Sequence, residues 1–444
     1  MQIDTIQIAN FRGFIEHTIF TAHQLTNVTS QRVFHFGEQF NVIVGDNGAG
    51  KTALLDALAV GLGSLFLAFD EIKTRGIRKD EVSLARFQFS DTVNLEPQYP
   101  VVITCTGLVA GRQIAWVRTL EGSGGRITRQ GATEIFEISR ELQRAVRSGE
   151  PVDLPLLAYY GTGRLWLQKK ETYLDPIENR SRMAGYLDCL DPISNEKMLL
   201  RWLKAMEIIQ LQQGRPVGVL EAVKQAVVNS VELWHSMVYD IQQDELIISA
   251  DDGRVLPFRM LSDGVRNMLA MVADIAYRAA VLNPQHGAEA ARATSGVVLI
   301  DEIDLHLHPK WQRRVVDDLR RTFPRIQFIA TTHSPFIVQS LRPGELINLD
   351  GENQAAYADK SIEDIAEQVM DVEVPQRSER YQEMMAAAKE YYRVLQSGKH
   401  APPDQVEALK RRLDELSAPF SDNVAYHAFL EMEREAAGLG EEKS

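Results

Sequence analysis

The sequence predicts an α/β protein: a mixed sheet flanked by helices, with antiparallel β and helical lobes and a helical appendage at its C-terminal end. Three observations predict it. Phe40 to Val44 is an apolar strand that runs through a glycine-rich turn into an apolar helix, Ala53 to Phe69. Gly296 to Ile300 is a short continuous apolar run and Ile326 to Thr331 reads as another buried strand, the pattern of parallel strands covered on both faces. Other segments pair about turns or carry apolar stripes at helical spacing, and past Asp350 the chain becomes rich in charge.

In order, Gln2 to Ala9 has spaced apolar residues (Ile3, Ile6, Ile8) and reads as a strand, followed by Asn10–Phe11–Arg12–Gly13–Phe14. The turn after Val44 is Gly45–Asp46–Asn47–Gly48–Ala49–Gly50–Lys51–Thr52. It fits the phosphate-binding pattern G-x-x-x-x-G-K-[ST], strand before and helix after. Its glycines let backbone N–H groups turn toward phosphate oxygens, and the helix N-terminus adds positive potential at the same spot. Residues Gly45 to Thr52 are therefore the candidate ATP-binding loop. Lys51 is placed to reach the β- and γ-phosphates and Thr52 to ligate Mg²⁺. Arg12 lies just ahead of the loop, and a phosphate-facing role is assigned to it.

Pro100 to Thr106 and Gln113 to Leu120 read as two strands about the turn Val109–Arg112. Glu134 to Arg147 reads as a helix, and Leu154 to Tyr159 as a strand ending in Tyr160–Gly161–Thr162–Gly163–Arg164. A turn with an arginine at a strand's carboxyl end is where an α/β sheet usually meets its ligand. Asn195 to Gln213 and Val219 to Tyr239 read as helices, part of a helical insertion at about 170–240, with Leu199, Leu203, Met206 and Ile209 as a core stripe. Glu245 to Ser249 and Arg254 to Phe258 form a hairpin about Asp251–Gly253. It leads into Leu261–Ser262–Asp263–Gly264–Val265 and a helix from Asn267 to Leu282, where Ser262 and Gly264 form a second anion site at a helix start.

The strand Gly296 to Ile300 ends in Asp301–Glu302. Asp301 fits the carboxylate that holds Mg²⁺, and Glu302 the group that orients and deprotonates an attacking water. His306 and His308 invite a metal reading, rejected because no third or fourth ligand is spaced nearby. Trp311 to Thr322 reads as an amphipathic helix. His333, after the strand ending at Thr331, is placed to hydrogen-bond a γ-phosphate or the water.

The bulk numbers suit a globular chain of two or three domains: 444 residues, 45% hydrophobic, 25% charged. No apolar run is long enough to span a bilayer, and Met1–Gln2–Ile3–Asp4 lacks the basic-then-apolar start of a signal peptide. A cytoplasmic location and no membrane contact are expected. Cys105 and Cys189 form no C-x-x-C pair. The net charge of −13 argues against a broad nucleic-acid coat.

The order of these motifs resembles the ABC-type ATPases, specifically the SMC/RecF/OLD-like group. There N-F-R-G-F precedes the phosphate loop, as Asn10 to Phe14 do here; the ABC signature corresponds to Leu261–Val265, Walker B to Val297–Asp301 with Glu302, and the switch histidine to His333. Asp263 stands where many members have glycine and Val265 where they have glutamine; the Q-loop glutamine is not identifiable by spacing. A finer resemblance is to the PtuA-like ATPases of Septu and retron anti-phage systems, through Asp301–Gln312, Ala158–Arg164, Arg377–Met385 and Pro419–Asn423.

The resemblance implies an ABC-type P-loop NTPase head over residues 1–350 and a helical docking or oligomerisation region over 351–444. It implies Mg²⁺-dependent ATP hydrolysis at two composite sites of a head-to-tail dimer or higher oligomer, with Lys51 and Thr52 of one copy closed by Ser262 and Gly264 of the other. The implied partners are a second copy, an HNH nuclease subunit and, in the retron version, a reverse transcriptase with its RNA–DNA. The alternative is a RecF-like DNA repair or maintenance ATPase that contacts DNA itself.

Overall fold

The computed structural model describes residues 1–14, 32–89, 92–125, 131–165, 181–192, 196–230, 234–351, 360–370 and 372, with scattered helical residues between 382 and 416. The chain divides into two units, Met1–Ile365 and Ala366–Ser444. No described helix is long and apolar enough to cross a membrane.

The first unit begins with β1 (Gln2–Ala9), β2 (Arg32–His35), β3 (Phe40–Val44) and α1 (Lys51–Leu62). The hairpin β4 (Leu84–Phe89) and β5 (Thr92–Pro97) follows, then β6 (Val101–Val109), β7 (Arg112–Leu120), α2 (Thr133–Arg147) and β8 (Leu156–Tyr160). Next come α3 (Glu196–Gln213), α4 (Gly218–Asn229), β9 (Trp234–Asp240), β10 (Glu245–Ala250), β11 (Val255–Pro257) and α5 (Asp263–Leu282). The rest is α6 (Ala290–Ala293), β12 (Gly296–Ile300), α7 (Pro309–Gln312), α8 (Val315–Thr322), β13 (Ile326–Thr331), α9 (Pro335–Gln339) and β14 (Leu346–Asn348); α10 (Ile362–Met370) begins in this unit and continues past its last residue, Ile365.

The central sheet has the order β14-β3-β13-β12-β8 and is parallel throughout. Every residue of β3, β8, β12 and β13 is buried, as their apolar runs require. The antiparallel strands form separate sheets, β2-β1-β6-β7, β11-β10-β9 and the hairpin β4-β5. Two buried polar side chains join the layers. Gln327 of β13 bonds both the N–H and the C=O of Ile3 at 2.8 Å. Trp116 of β7 donates to the Gly61 carbonyl of α1 at 2.9 Å.

α1 packs against β6 and β7 on one side and β12 and β13 on the other. All of its residues except Thr52 are buried, the state of a helix that is apolar all round. It ends earlier than its pattern suggests: at Gly63 the backbone of Arg75 lies so close that a Cβ would meet it at 3.0 Å. The chain continues there as a 3₁₀ turn, Gly63–Phe66.

Three other expectations are corrected. The helix read over Val219–Tyr239 stops at Asn229, and Trp234–Asp240 is instead a strand paired antiparallel with β10. From Met237 to Asp240 its side chains alternate between buried and more exposed, a two-residue period too short to show behind the apolar helix ahead of it. The helix over Trp311–Thr322 is two helices; the Arg314 N–H reaches back only three residues, to Trp311, and the turn tightens. β2, β4, β5 and β14 were not foreseen. Residues 166–180 and 193–195 of the expected insertion, and most of the helices read over 378–396 and 404–416, lie outside the described residues.

Candidate nucleotide-binding site

The carboxyl ends of β3, β12 and β13 meet over the N-terminus of α1. The Gly45–Thr52 loop leaves β3, and Gly50 caps α1 at φ 102°, a left-handed conformation that glycine adopts without a Cβ penalty. No side chain caps α1 and no acid sits in its first turn, so its opening N–H groups face no competing side-chain acceptor. Lys51 lies over its own loop, its Nζ donating to the Gly45 carbonyl at 2.6 Å and the Asp46 carbonyl at 2.9 Å. Asp350, just past β14, accepts from the Asp46 N–H.

Thr52 and Asp301 meet as the sequence predicts, Thr52 Oγ1 lying 3.0 Å from Asp301 Oδ2. The other oxygen of Asp301 accepts from Thr331 Oγ1 at 2.7 Å, and that hydroxyl accepts from the Glu302 N–H, also at 2.7 Å. Glu302 sits at φ 49°, rare for a residue with a side chain and a mark of strain held by its surroundings. The Glu302 carbonyl accepts from Arg164 Nη2 at 2.8 Å. His333 follows β13 and is exposed, while Ser334 next to it caps α9.

Burial lowers the Lys51 pKa, and the carboxylates of Asp350, Asp301, Asp46 and Glu302 oppose that. Four carboxylates outnumber the two cations near them, the Lys51 ammonium and the Arg164 guanidinium, so the seat is net negative and disfavours a polyphosphate on charge alone. A hard dication between Thr52 Oγ1 and the Asp301 carboxylate removes that conflict, and two oxygen donors are the chemistry Mg²⁺ takes. The residues present therefore fit both the phosphates and the ion.

At the second predicted anion site, Ser262 caps α5 in position but makes no side-chain capping bond, and it is exposed. Gly264 is buried against the segment after Glu302; a Cβ there would collide with the His306 carbonyl oxygen. His308 caps α7, its Nδ1 accepting from the Lys310 N–H at 3.2 Å. Arg12 is engaged elsewhere: its guanidinium lies 2.7 Å from Asp56, five residues along α1 from Lys51, and 3.4 Å from Glu81. Arg75 bonds the same two acids.

Sequence reasoning missed Thr331, Asp350 and the contacts of Arg164. Thr331 has no local signal, because a threonine ending a strand is ordinary β composition. Arg164 was singled out by its place after β8, but apart from the Gly161 carbonyl its partners lie more than a hundred residues away.

A family model described as an AAA domain matches residues 5–226, half of the chain, and a second AAA-domain model matches 166–339. A retron probable ATPase of Vibrio cholerae is 26% identical over 68% of this chain and 66% of its own length. A retron probable ATPase of Escherichia coli is 26% identical over 77% and 70%. The Septu protein PtuA of Bacillus mycoides is 41% identical over 81% of this chain and 42% of its own length. The chain thus spans between 42% and 70% of these relatives. Among solved structures, an SMC head bound to the C-terminal winged-helix domain of ScpA aligns with a TM-score of 0.46 at 16% identity, covering 78% of this chain and 94% of that one.

Proposed function

This chain belongs to the AAA-domain family, as an SMC/RecF-like protein resembling PtuA, and on that premise we propose that it is the Mg²⁺-dependent ATPase subunit of an anti-phage defence complex. In this reading it senses and regulates: ATP closes a head-to-tail dimer, hydrolysis opens it, and the cycle controls cleavage by a partner HNH nuclease. The observation that carries the ATPase reading is the meeting of Thr52 and Asp301 at 3.0 Å beside Lys51, with Glu302 next in the chain.

Lys51, held at the Gly45 and Asp46 carbonyls, offers its remaining N–H to the β- and γ-phosphate oxygens, and the Gly45–Gly50 amides close around them. Thr52 and Asp301 would hold Mg²⁺, which would supply positive charge to offset that of the phosphates. Glu302 orients a water and accepts its proton as the water attacks the γ-phosphorus, the bond from that phosphorus to the β–γ bridging oxygen breaks and ADP leaves. His333, exposed at the end of β13, donates to the γ-phosphate. Arg12 joins the phosphates by giving up its pair with Asp56. Ser262 and Gly264 of the second copy complete each site, so the chemistry rests on positioning and charge stabilisation.

Mixing two inactive variants tests the composite site. Lys51→Ala and Ser262→Arg each abolish turnover alone. In an equimolar mixture half of the dimers are mixed and each of those keeps one intact site, so about a quarter of wild-type activity returns; no return refutes the shared site. Affinity purification of the tagged chain from its gene neighbourhood tests the partner. A stoichiometric nuclease supports the defence reading. A lone dimer whose turnover rises with DNA replaces that reading with a RecF-like one.

A further inference from the structure

Arg164, in the turn after β8, is buried, with 7% of its surface exposed. Its Nε donates to Asn267 Oδ1 at 2.9 Å. Its Nη1 donates to the carbonyls of Gly161 at 3.0 Å and Asp301 at 2.6 Å, and its Nη2 to the carbonyl of Glu302 at 2.8 Å. These four acceptors are neutral oxygens. Burial pulls the guanidinium pKa down to about 10, with the nearby carboxylates of Asp301, Glu302 and Asp304 opposing that, so it stays charged at neutral pH.

The placement has two consequences. First, the left-handed backbone of Glu302 is held from both sides, its N–H by Thr331 and its C=O by Arg164. The direction of the Glu302 carboxylate is therefore set partly by where the guanidinium sits. Second, the other arm of Arg164 grips Asn267, five residues after Ser262 on α5 and itself buried. Two turns further along the same face of α5, Asp274 accepts from Tyr160 Oη at 2.7 Å and from Arg278 Nε at 2.8 Å. β8 and α5 are thus joined by two buried polar links, and the one nearer Ser262 runs through Arg164 to the catalytic acids.

We propose that Arg164 is a positioning residue that passes the seating of the α5 N-terminus to the Glu302 carboxylate, so that turnover depends on it while nucleotide binding does not. A guanidinium suits this task because its rigid fork meets several carbonyls at once, whereas a lysine ammonium on the same stem cannot span them. The proposal rests on the ATPase reading above, in which α5 of one copy closes on nucleotide held by the other.

The test uses the full chain and measures wild type, Arg164→Lys, Asn267→Ala and the double variant. The readouts are ATP Kd, ATP-driven dimerisation, KM and kcat. Arg164→Lys is expected to keep Kd and KM within about threefold and to dimerise with ATP, while kcat falls about 10- to 100-fold. Asn267→Ala, which severs only the α5 arm, is expected to lower kcat about 3- to 10-fold, with no further loss when added to Arg164→Lys, because both act through one link. Wild-type kcat in Arg164→Lys overturns the proposal. So does a loss of kcat that tracks a matching loss of ATP binding, and so do fully additive effects of the two substitutions. If Arg164→Lys does not fold, Asn267→Ala alone decides: a lowered kcat at unchanged Kd supports the proposal, and an unchanged kcat overturns it. A wild type that binds ATP but never hydrolyses it refutes the ATPase reading instead.

Discussion

Replacing Thr331 by valine keeps the shape of the side chain and removes one hydroxyl. That hydroxyl is fully buried, donates to the Asp301 carboxylate and accepts from the Glu302 N–H, each at 2.7 Å. A hydrogen bond to a charged group contributes about 1.5–3 kcal/mol and a neutral one about 0.5–1.5, so the substitution removes roughly 2–4.5 kcal/mol. Unfolding entropy of about 2.1 cal/mol/K per residue over Met1–Ile365 gives about 0.77 kcal/mol/K. The expected fall in Tm of the nucleotide-free chain is therefore about 3–6 °C. Turnover is expected to fall further than stability suggests. The left-handed backbone of Glu302 loses one of its two anchors, and strain of about 1–3 kcal/mol is then free to relax. At about 1.4 kcal/mol per decade that is roughly a 5- to 150-fold loss of kcat. Thermal unfolding and phosphate release on one preparation check both numbers. A Tm within about 1 °C of wild type together with kcat within twofold would refute the reasoning, because nothing would then be holding Glu302 through that hydroxyl.

Two further outcomes follow from the same geometry. Glu302→Gln is expected to bind ATP at near wild-type affinity and to release phosphate about 10²–10⁴-fold more slowly; wild-type turnover in single-turnover assays removes Glu302 from its role. Gly264→Ala forces a methyl group against the His306 carbonyl, with overpacking of about 1–3 kcal/mol. Thermal unfolding without nucleotide should show a Tm lower by about 1–4 °C, and an unchanged Tm means that the close approach is not real.

The central sheet was legible because β12 is a continuous apolar run and β3 and β13 are largely apolar, and a strand buried on both faces leaves that mark whatever surrounds it. The phosphate loop and the Asp301–Glu302 pair were legible for a related reason: their chemistry fixes residue types at fixed local spacing. Elements whose stability comes from distant partners were not legible. β14 is three residues long and exists through its pairing with β3. The β4 and β5 side chains that are described are mostly exposed, so no burial pattern marks that hairpin. At the site the same division holds. Lys51 and Thr52 announce themselves, but Arg164 acts on carbonyls that any residue could supply, and Arg12 shows that a motif position does not fix where a long side chain points.

Two of the three N–H groups of the Lys51 ammonium are tied to the loop that follows β3, at the Gly45 and Asp46 carbonyls. The charge is therefore held over the turn by the loop's own backbone and does not wander on a four-carbon stem. Much of the conformational cost of fixing a lysine, up to about 2 kcal/mol, falls on folding and not on ligand binding. The third N–H is left to offer a phosphate oxygen. Loop shape and counter-charge are in this way one structure: a substitution that shifts the Gly45 or Asp46 carbonyl moves the ammonium with it.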